Sequence, residues 1–531
     1  MKPVVWAVFF LVLFSSSSSA QDMAARQYLD HMNNERGFII HIDCDAGDLI
    51  VQLGSDNDNI VQGLDRDSED IAKARANIRS HGDYGRISTR HFNGKDLPYI
   101  DNTANLIIAQ ASTGVARKEI VRVLQPLGVA FIDGEKIVKP WPDKIDEWTH
   151  YLHDPSNNAV ADDDVVAPPQ GLQWVGKPLW SRSHTTLAGT TCAVSAKGRI
   201  FTIEDRAPIQ LSRMPAKYTL IARDAFNGIE LWRHPLPNWE VITHFVKATP
   251  VQLTRRLVAV GDRVYATLGI TAPVSEFDAR TGEILRTYSG TNNTQEIILF
   301  DNALYLIVGD RMRPYGDTMD HYRVEYTFNE KYYSPRRMPK EDPKSVIMAI
   351  DAVTGRKMWE VAGALTKAYQ GTTLAVNDRL VFFQTAQELV CLDREKGSVV
   401  WKKSSPVDMG DSLSVRAGSS PTLVLYEGKV FVADGRSLKV FSQDNGETIW
   451  ETDSNMKDLH YSSPDILIAC GAVWMHHNLD GYDLDSGAKI KVRGATLEEP
   501  MGHDRCYRNK ATNNYIINSK SGGADFSFLG K

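Results

Sequence analysis

The chain has 531 residues, 42% of them hydrophobic and 24% charged, with a formal net charge of −6 and a pI near 6.2. That length exceeds one ordinary core, so two or more domains are expected. The mild acidity gives no electrostatic reason to expect nucleic acid or an anionic membrane as a partner.

The chain begins MKPVVWAVFFLVLFSSSSSAQ. Lys2, the apolar run Pro3–Phe14 and the small residues Ser18 and Ala20 before Gln21 read as a cleavable secretory signal over 1–20. That run is short for a bilayer span and no other is long enough, so a periplasmic or secreted protein is expected, not an integral membrane one. The five cysteines, Cys44, Cys192, Cys391, Cys470 and Cys506, are scattered and odd in number, which excludes a disulfide-rich scaffold.

From 21 to 140 the pattern alternates strand and helix. Phe38–Ile42, Ile60–Leu64, Leu106–Ala109 and Gly128–Ile132 are predicted strands. Ser68–Ser80 is a predicted helix with Ile71, Ala74 and Ile78 on one face and Asp67 as its cap, and Arg117–Leu124 is a shorter one. Such alternation predicts a parallel α/β sheet. Residues 141–171 break the rhythm with DEWTHYLHDPSNNAV, an acidic run and Pro168-Pro169, and are expected to be a linker.

From 172 to 531 the texture is all-β. One unit recurs: a strand, a polar turn ending in glycine, then a strand often ending in tryptophan. Its copies include DAFNGIELW (224–232), DARTGEILRTY (278–288), DAVTGRKMW (351–359), DREKGSVVW (393–401), SQDNGETIW (442–450) and DLDSGAKI (483–490). The turn glycines are spaced by 54, 73, 42, 49 and 41 residues, near one propeller blade with insertions. A seventh copy is sought in CYRNKATNNYIINSKSGGADFSF, so the expectation is a propeller of about 6–8 blades, not necessarily complete in this chain.

The stretch AIDAVTGRKMW (349–359) resembles the blade signature of quinoprotein-like propellers, Ala-x-Asp-x-x-Thr-Gly-x-x-x-Trp. That family includes alcohol dehydrogenases using pyrroloquinoline quinone (PQQ) and the non-enzymatic propeller of the outer-membrane β-barrel assembly machinery. The resemblance implies the fold and a tryptophan docked on the next blade, not an activity. The N-terminal part, about 37–132, resembles class I methyltransferases that use S-adenosylmethionine. In FIIHIDCDAGD the place of the family's Gly-x-Gly-x-Gly loop is taken by Asp43, Asp45 and Gly47, and His41 replaces the usual strand-end acid. Asp65 matches the acid that holds the ribose hydroxyls, Asn93 stands near the adenine position, and Asn105 and Leu127 replace a customary Asp and Gly. The two parts joined by DEWTHYLHD resemble exported propeller-repeat proteins of planctomycete-type bacteria.

Asp43, Asp45, Gly47, Asp65 and Asn93 are therefore the candidate cofactor residues. The two aspartates bring side chains and negative charge where the resemblance puts glycines and a ligand carboxylate, so a degenerate pocket is expected. PQQ with Ca²⁺ would need Asp, Glu and Asn oxygens near a propeller axis, and the adjacent cysteine pair of that family is absent. His150, His153, His503 and Cys506 are the candidate ligands for Zn²⁺ or another transition metal, although no spacing among them is diagnostic. The Tyr- and Arg-rich loop 309–345 and the propeller faces are the expected contact with a protein partner. The resulting expectation is an exported, non-catalytic binding or scaffold protein. A PQQ- or metal-dependent oxidoreductase and an S-adenosylmethionine-dependent methyltransferase are the alternatives.

Overall fold

The computed structural model describes residues 24–55, 58–177, 189–207, 216–237, 239, 251–309, 344–408, 420–453, 463–475, 480–490, 508–520 and 523–528. The expected signal segment 1–20, His503, Cys506 and nearly all of loop 309–345 lie outside the described residues. The chain forms two compact units. The first comprises Met1–Asp143, Gly171–Gly176 and Ala222–Trp232, and the second the rest.

In the first unit, a helix at 24–29 (α1) precedes strand β1 (Phe38–Ile42), helix α2 (Asp48–Ser55), β2 (Ile60–Asp65), α3 (Ser68–Ser80), β3 (Ile87–His91), β4 (Ala104–Ala109), α4 (Arg117–Val123), β5 (Leu124–Ile132) and β6 (Glu135–Val138). The sheet order is β3-β2-β1-β4-β5-β6, parallel throughout except for β6. Strand β1 is apolar except for His41 because both its faces are covered. Ile39 packs with Ile50, Val61 and Ile87, while Ile40 and Ile42 pack on the other face with Leu64, Ile107 and Ile120. Asp67 caps α3 as expected, accepting from the Glu69 N–H at 2.7 Å. Strand order reverses between β1 and β4, and the carboxyl end of such a switch point is where an α/β sheet leaves a crevice.

Residues 222–232 are the turn of the first repeat, and they belong to this unit. The Asp224 Oδ1 accepts from the backbone N–H groups of Phe226 and Asn227, as the turn aspartates Asp278, Asp393 and Asp483 do in theirs. Its Oδ2 accepts from the side-chain amides of Asn34 (2.9 Å), Asn105 (2.8 Å) and Gln125 (3.0 Å). Burial pushes this carboxyl above its ordinary value, against the amide and backbone donors that work to lower it. Trp174 lies over Gly228, leaving no room for a Cβ, and donates its Nε1–H to the Ala225 carbonyl at 2.8 Å.

Among the described residues, the sequence repeats form six four-stranded sheets, and the C-terminal copy a three-stranded one. Their first strands are Thr190–Ala196, Leu257–Val260, Thr294–Phe300, Ala375–Val376, Thr422–Tyr426, Ile466–Ala469 and Lys510–Ala511. Successive first strands are neighbours along the series. The tryptophans join consecutive sheets: Trp359, Trp401 and Trp450 donate Nε1–H to the carbonyls of Arg394, Gln443 and Leu484 in the following turns. Each covers the next turn glycine, Gly397, Gly446 and Gly487, which hold φ near +70°. A side chain there would meet both the ring and the left-handed backbone.

The segment expected as a linker, 141–171, lies mostly in the second unit. Residues 144–170 belong to the second unit and are packed within it. They read as a linker because their hydrogen bonds run to other segments, not to an element of their own. Trp148 and Ser195 exchange backbone and hydroxyl bonds at 2.8 and 2.9 Å on the first sheet. The Thr149 carbonyl accepts from Ala259 on the second, and the His150 Nε2 from Leu299 on the third. Pro155 and Ser156 accept from Val376 and Leu425 on the fourth and fifth. Asn158 pairs through its amide with both backbone groups of Ile468 on the sixth, at 2.9 and 3.0 Å. Ala159 and Ala161 flank Ala511 on the seventh.

Candidate functional site

The turn after β1 is built on left-handed backbone. Asp43, Asp45 and Gly47 have φ of +57°, +47° and +83°. The two aspartates thus occupy conformations that favour glycine, and short polar side chains are the commonest substitute there. Gly47 is pressed against Ala74 of α3, where a built Cβ would lie 2.9 Å from the alanine Cβ. Leu127, which stands where the resemblance has a glycine, is also left-handed at φ +63°.

Asp65 and Asp43 are held by contacts within the protein. Asp65 is buried, and its Oδ2 accepts from the Asp45 N–H at 3.1 Å while its Oδ1 accepts from the Asp67 N–H at 2.9 Å. Asp43 pairs with Arg66 at 3.3 Å, and burial pushes its carboxyl above its ordinary value with Arg66 working the other way. Burial pushes the Cys44 thiol up to about 12, with the Asp65 charge adding to it, so it stays an unreactive thiol. Asn93 is exposed in the turn after β3, its Oδ1 accepting from the Lys95 and Asp96 N–H groups. The structure therefore brings Asp43, Asp45, Gly47 and Asp65 together. Asp45, Asp65 and Asp70 offer oxygens within 4.8 Å of one another, the one such metal-competent group among the described residues.

The histidines sit elsewhere, in the second unit. His150 and His153 face each other across a bridge of two backbone hydrogen bonds, 3.0 and 3.1 Å. Both nitrogens of His150 are bonded, to the Leu299 N–H and the Thr149 hydroxyl; His153 is bonded through Nε2 to Asp146 at 2.7 Å, with an Asp154 oxygen 3.4 Å from its Nδ1. A metal would have to displace those partners. His503 and Cys506, the other two candidate ligands, lie outside the described residues.

Burial pushes His150 down to about 3 and His41 down to about 4, with Asp154 and Asp65 respectively working the other way. Both folded values lie below the unfolded value of 6.5, so the fold holds neutral rings. Their contribution is complete above pH 6.5 and is lost as pH falls from there toward the folded values. Stability is expected to fall on mild acidification by up to about 1.4 kcal/mol per pH unit for each ring. Thermal melts between about pH 7.5 and about pH 4.5 check this; a flat profile across that span would contradict it.

Several groups that matter structurally carry no recognisable motif. Arg66, which holds Asp43, follows Asp65 directly and could have been read as its counter-charge. Asn157 and Asn158 sit in PSNNAV, where adjacent amides after a Pro-Ser pair resemble any polar loop. Trp174 offered a better signal: a tryptophan ahead of the first repeat, in the role that later tryptophans have for later turns.

The profile of a family described as outer membrane protein assembly factor BamB matches residues 343–503. An uncharacterized Haemophilus influenzae protein is 27% identical over 173 residues, 31% of this chain and 65% of that protein, so the chain spans just under two thirds of its length. Among solved structures, a Methanococcus maripaludis protein assigned as an S-adenosylmethionine-dependent methyltransferase is 24% identical, with a TM-score of 0.20 over 22% of this chain and 55% of that one. Geranyl diphosphate C-methyltransferase of Streptomyces coelicolor is 15% identical, with a TM-score of 0.20 over 23% of this chain and 48% of the other. Scores this low add nothing to the strand order already described. The chain carries BamB-like PQQ repeats over 343–503, and methyltransferases are among its structural neighbours.

Proposed function

We propose that the chain is an exported, non-catalytic binding or scaffold protein, a β-propeller joined to a degenerate methyltransferase-like domain. The observation that carries this reading is the turn after β1. The carboxylate that the resemblance assigns to ribose already accepts from Asp45 and Asp67, and the glycine positions hold Asp43 and Asp45. A methionine carboxylate brought to that turn would meet two carboxylates, and like charges at contact distance repel. For the propeller, the first strands that a quinone-binding axis would draw on are bonded to 148–161. No helix among the described residues is long and apolar enough to cross a membrane. In this reading the partner is a protein, held on the propeller faces and the 309–345 loop.

One observation favours a second reading, S-adenosylmethionine binding: the turn keeps the left-handed backbone of a cofactor loop at three positions, Asp43, Asp45 and Gly47. Equilibrium dialysis with labelled S-adenosylmethionine separates the two. The wild type is expected to show no saturable binding up to about 1 mM, a level worth only about 4 kcal/mol. Binding that appears in the Asp43→Gly/Asp45→Gly variant alone would identify the aspartates as the cause of the loss. Saturable binding by the wild type would favour the methyltransferase reading.

A further inference from the structure

We propose that residues 144–164 form an axial strap that closes the seven repeat sheets into a ring. This stands whether or not the scaffold reading holds.

The first argument is reach. Fourteen residues, 148–161, bond the first strand of every sheet in chain order. Fully extended, such a segment covers about 45 Å. It is not extended, because the mutual bonds of His150 and His153 fold it back on itself. Seven sheets stacked in an open row at about 10 Å each would put the first and last about 60 Å apart. A folded loop of this length can bond both only if the first strands surround it.

The second argument is the neck of the loop. The Asp162 N–H donates to the Asp146 Oδ2 at 2.8 Å, and the Asp164 N–H to the Lys144 carbonyl at 3.0 Å, so the strap's two ends are clasped. On one flank, Glu147 accepts from the Lys197 N–H, in the turn after the first strand of sheet one. On the other, Asp162 and Asp164 accept from the Asn513 side-chain amide at 2.7 and 3.2 Å, in the turn after the first strand of sheet seven. The equivalent turns of sheets one and two also meet, Lys197 pairing with Asp262 at 2.6 Å. Trp148, bonded to Ser195 of sheet one, carries the Lys510 ammonium of sheet seven 6.0 Å from its ring centre. Both edges of the series therefore meet at the neck.

This arrangement explains why a polar, proline-containing segment is buried. Each first strand is a sheet edge with unpaired N–H groups, and the strap supplies their acceptors.

Pulsed dipolar spectroscopy on the full chain tests the ring, with spin labels on an unnatural amino acid at positions 197 and 514. A pair at 197 and 262, in the neighbouring sheets one and two, is the reference. A closed ring gives a 197–514 distance comparable with the reference and equally sharp. A distance more than about twofold longer, or a distribution without a maximum, overturns the proposal. In Asp146→Ala, which loses the side-chain bond of the clasp, the 197–514 distribution is expected to broaden while the reference stays sharp. If both stay sharp, the strap does not hold the ring. If the variant does not fold, the wild-type distance alone decides.

Discussion

Asn158→Ala is expected to destabilise the second unit by roughly 2–5 kcal/mol, because each buried backbone group left without a partner costs about 1–3 kcal/mol. The Asn158 amide donates to the Ile468 carbonyl at 3.0 Å and accepts from the Ile468 N–H at 2.9 Å. The residue is buried, so water cannot replace both bonds at once. Asn158→Asp is expected to be worse than Ala. It keeps the acceptor for the N–H but sets a carboxylate oxygen against the Ile468 carbonyl. Urea denaturation gives the loss as a shift of midpoint, and amide hydrogen exchange at Ile468 locates it. A change under about 0.5 kcal/mol, the size of an ordinary surface substitution, would mean that 144–164 is the linker its composition suggests.

Asn105→Asp is the second large effect, and its sign runs against the resemblance. The methyltransferase family favours an aspartate at this position, yet restoring it here is expected to cost about 3–5 kcal/mol at neutral pH, the range for an uncompensated buried charge. The reason is Asp224, whose Oδ2 lies 2.8 Å from the Asn105 amide nitrogen. Two carboxylates would then share one buried site, and one would have to take up a proton. Asp224→Asn in the same chain is expected to recover most of the loss, as a double-mutant cycle would show. Acidification should also relieve the single variant. Additive losses in the cycle would show that the two residues do not act on each other.

The Asn105 case shows how much of this chain is legible in its sequence. The strand–turn of 38–47, the α3 helix with its Asp67 cap and the six repeat turns follow from local rules: apolar continuity, capping, and glycine at positive φ. The reason for Asn105 is local to nothing. Its partner stands 119 positions away, in a repeat turn that looks like its siblings. The strap was hidden for the same reason. Its side chains and carbonyls serve seven distant strands, and a segment with no periodicity of its own reads as a loop. The contacts of His150 and His153 were equally out of reach of spacing rules: Leu299 and Thr149 beside the first ring, Asp146 and Asp154 beside the second.

If the chain is a binding or scaffold protein, both domains should be empty of small-molecule cofactors when it is purified from its source. Native mass spectrometry of the chain tests this most directly, first as isolated and then with added S-adenosylmethionine, PQQ with Ca²⁺, and Zn²⁺. The account predicts a bare chain, or one that carries another protein. A stoichiometric small-molecule adduct would contradict it, and the mass of that adduct would say whether the methyltransferase-like domain or the repeat sheets hold an active site.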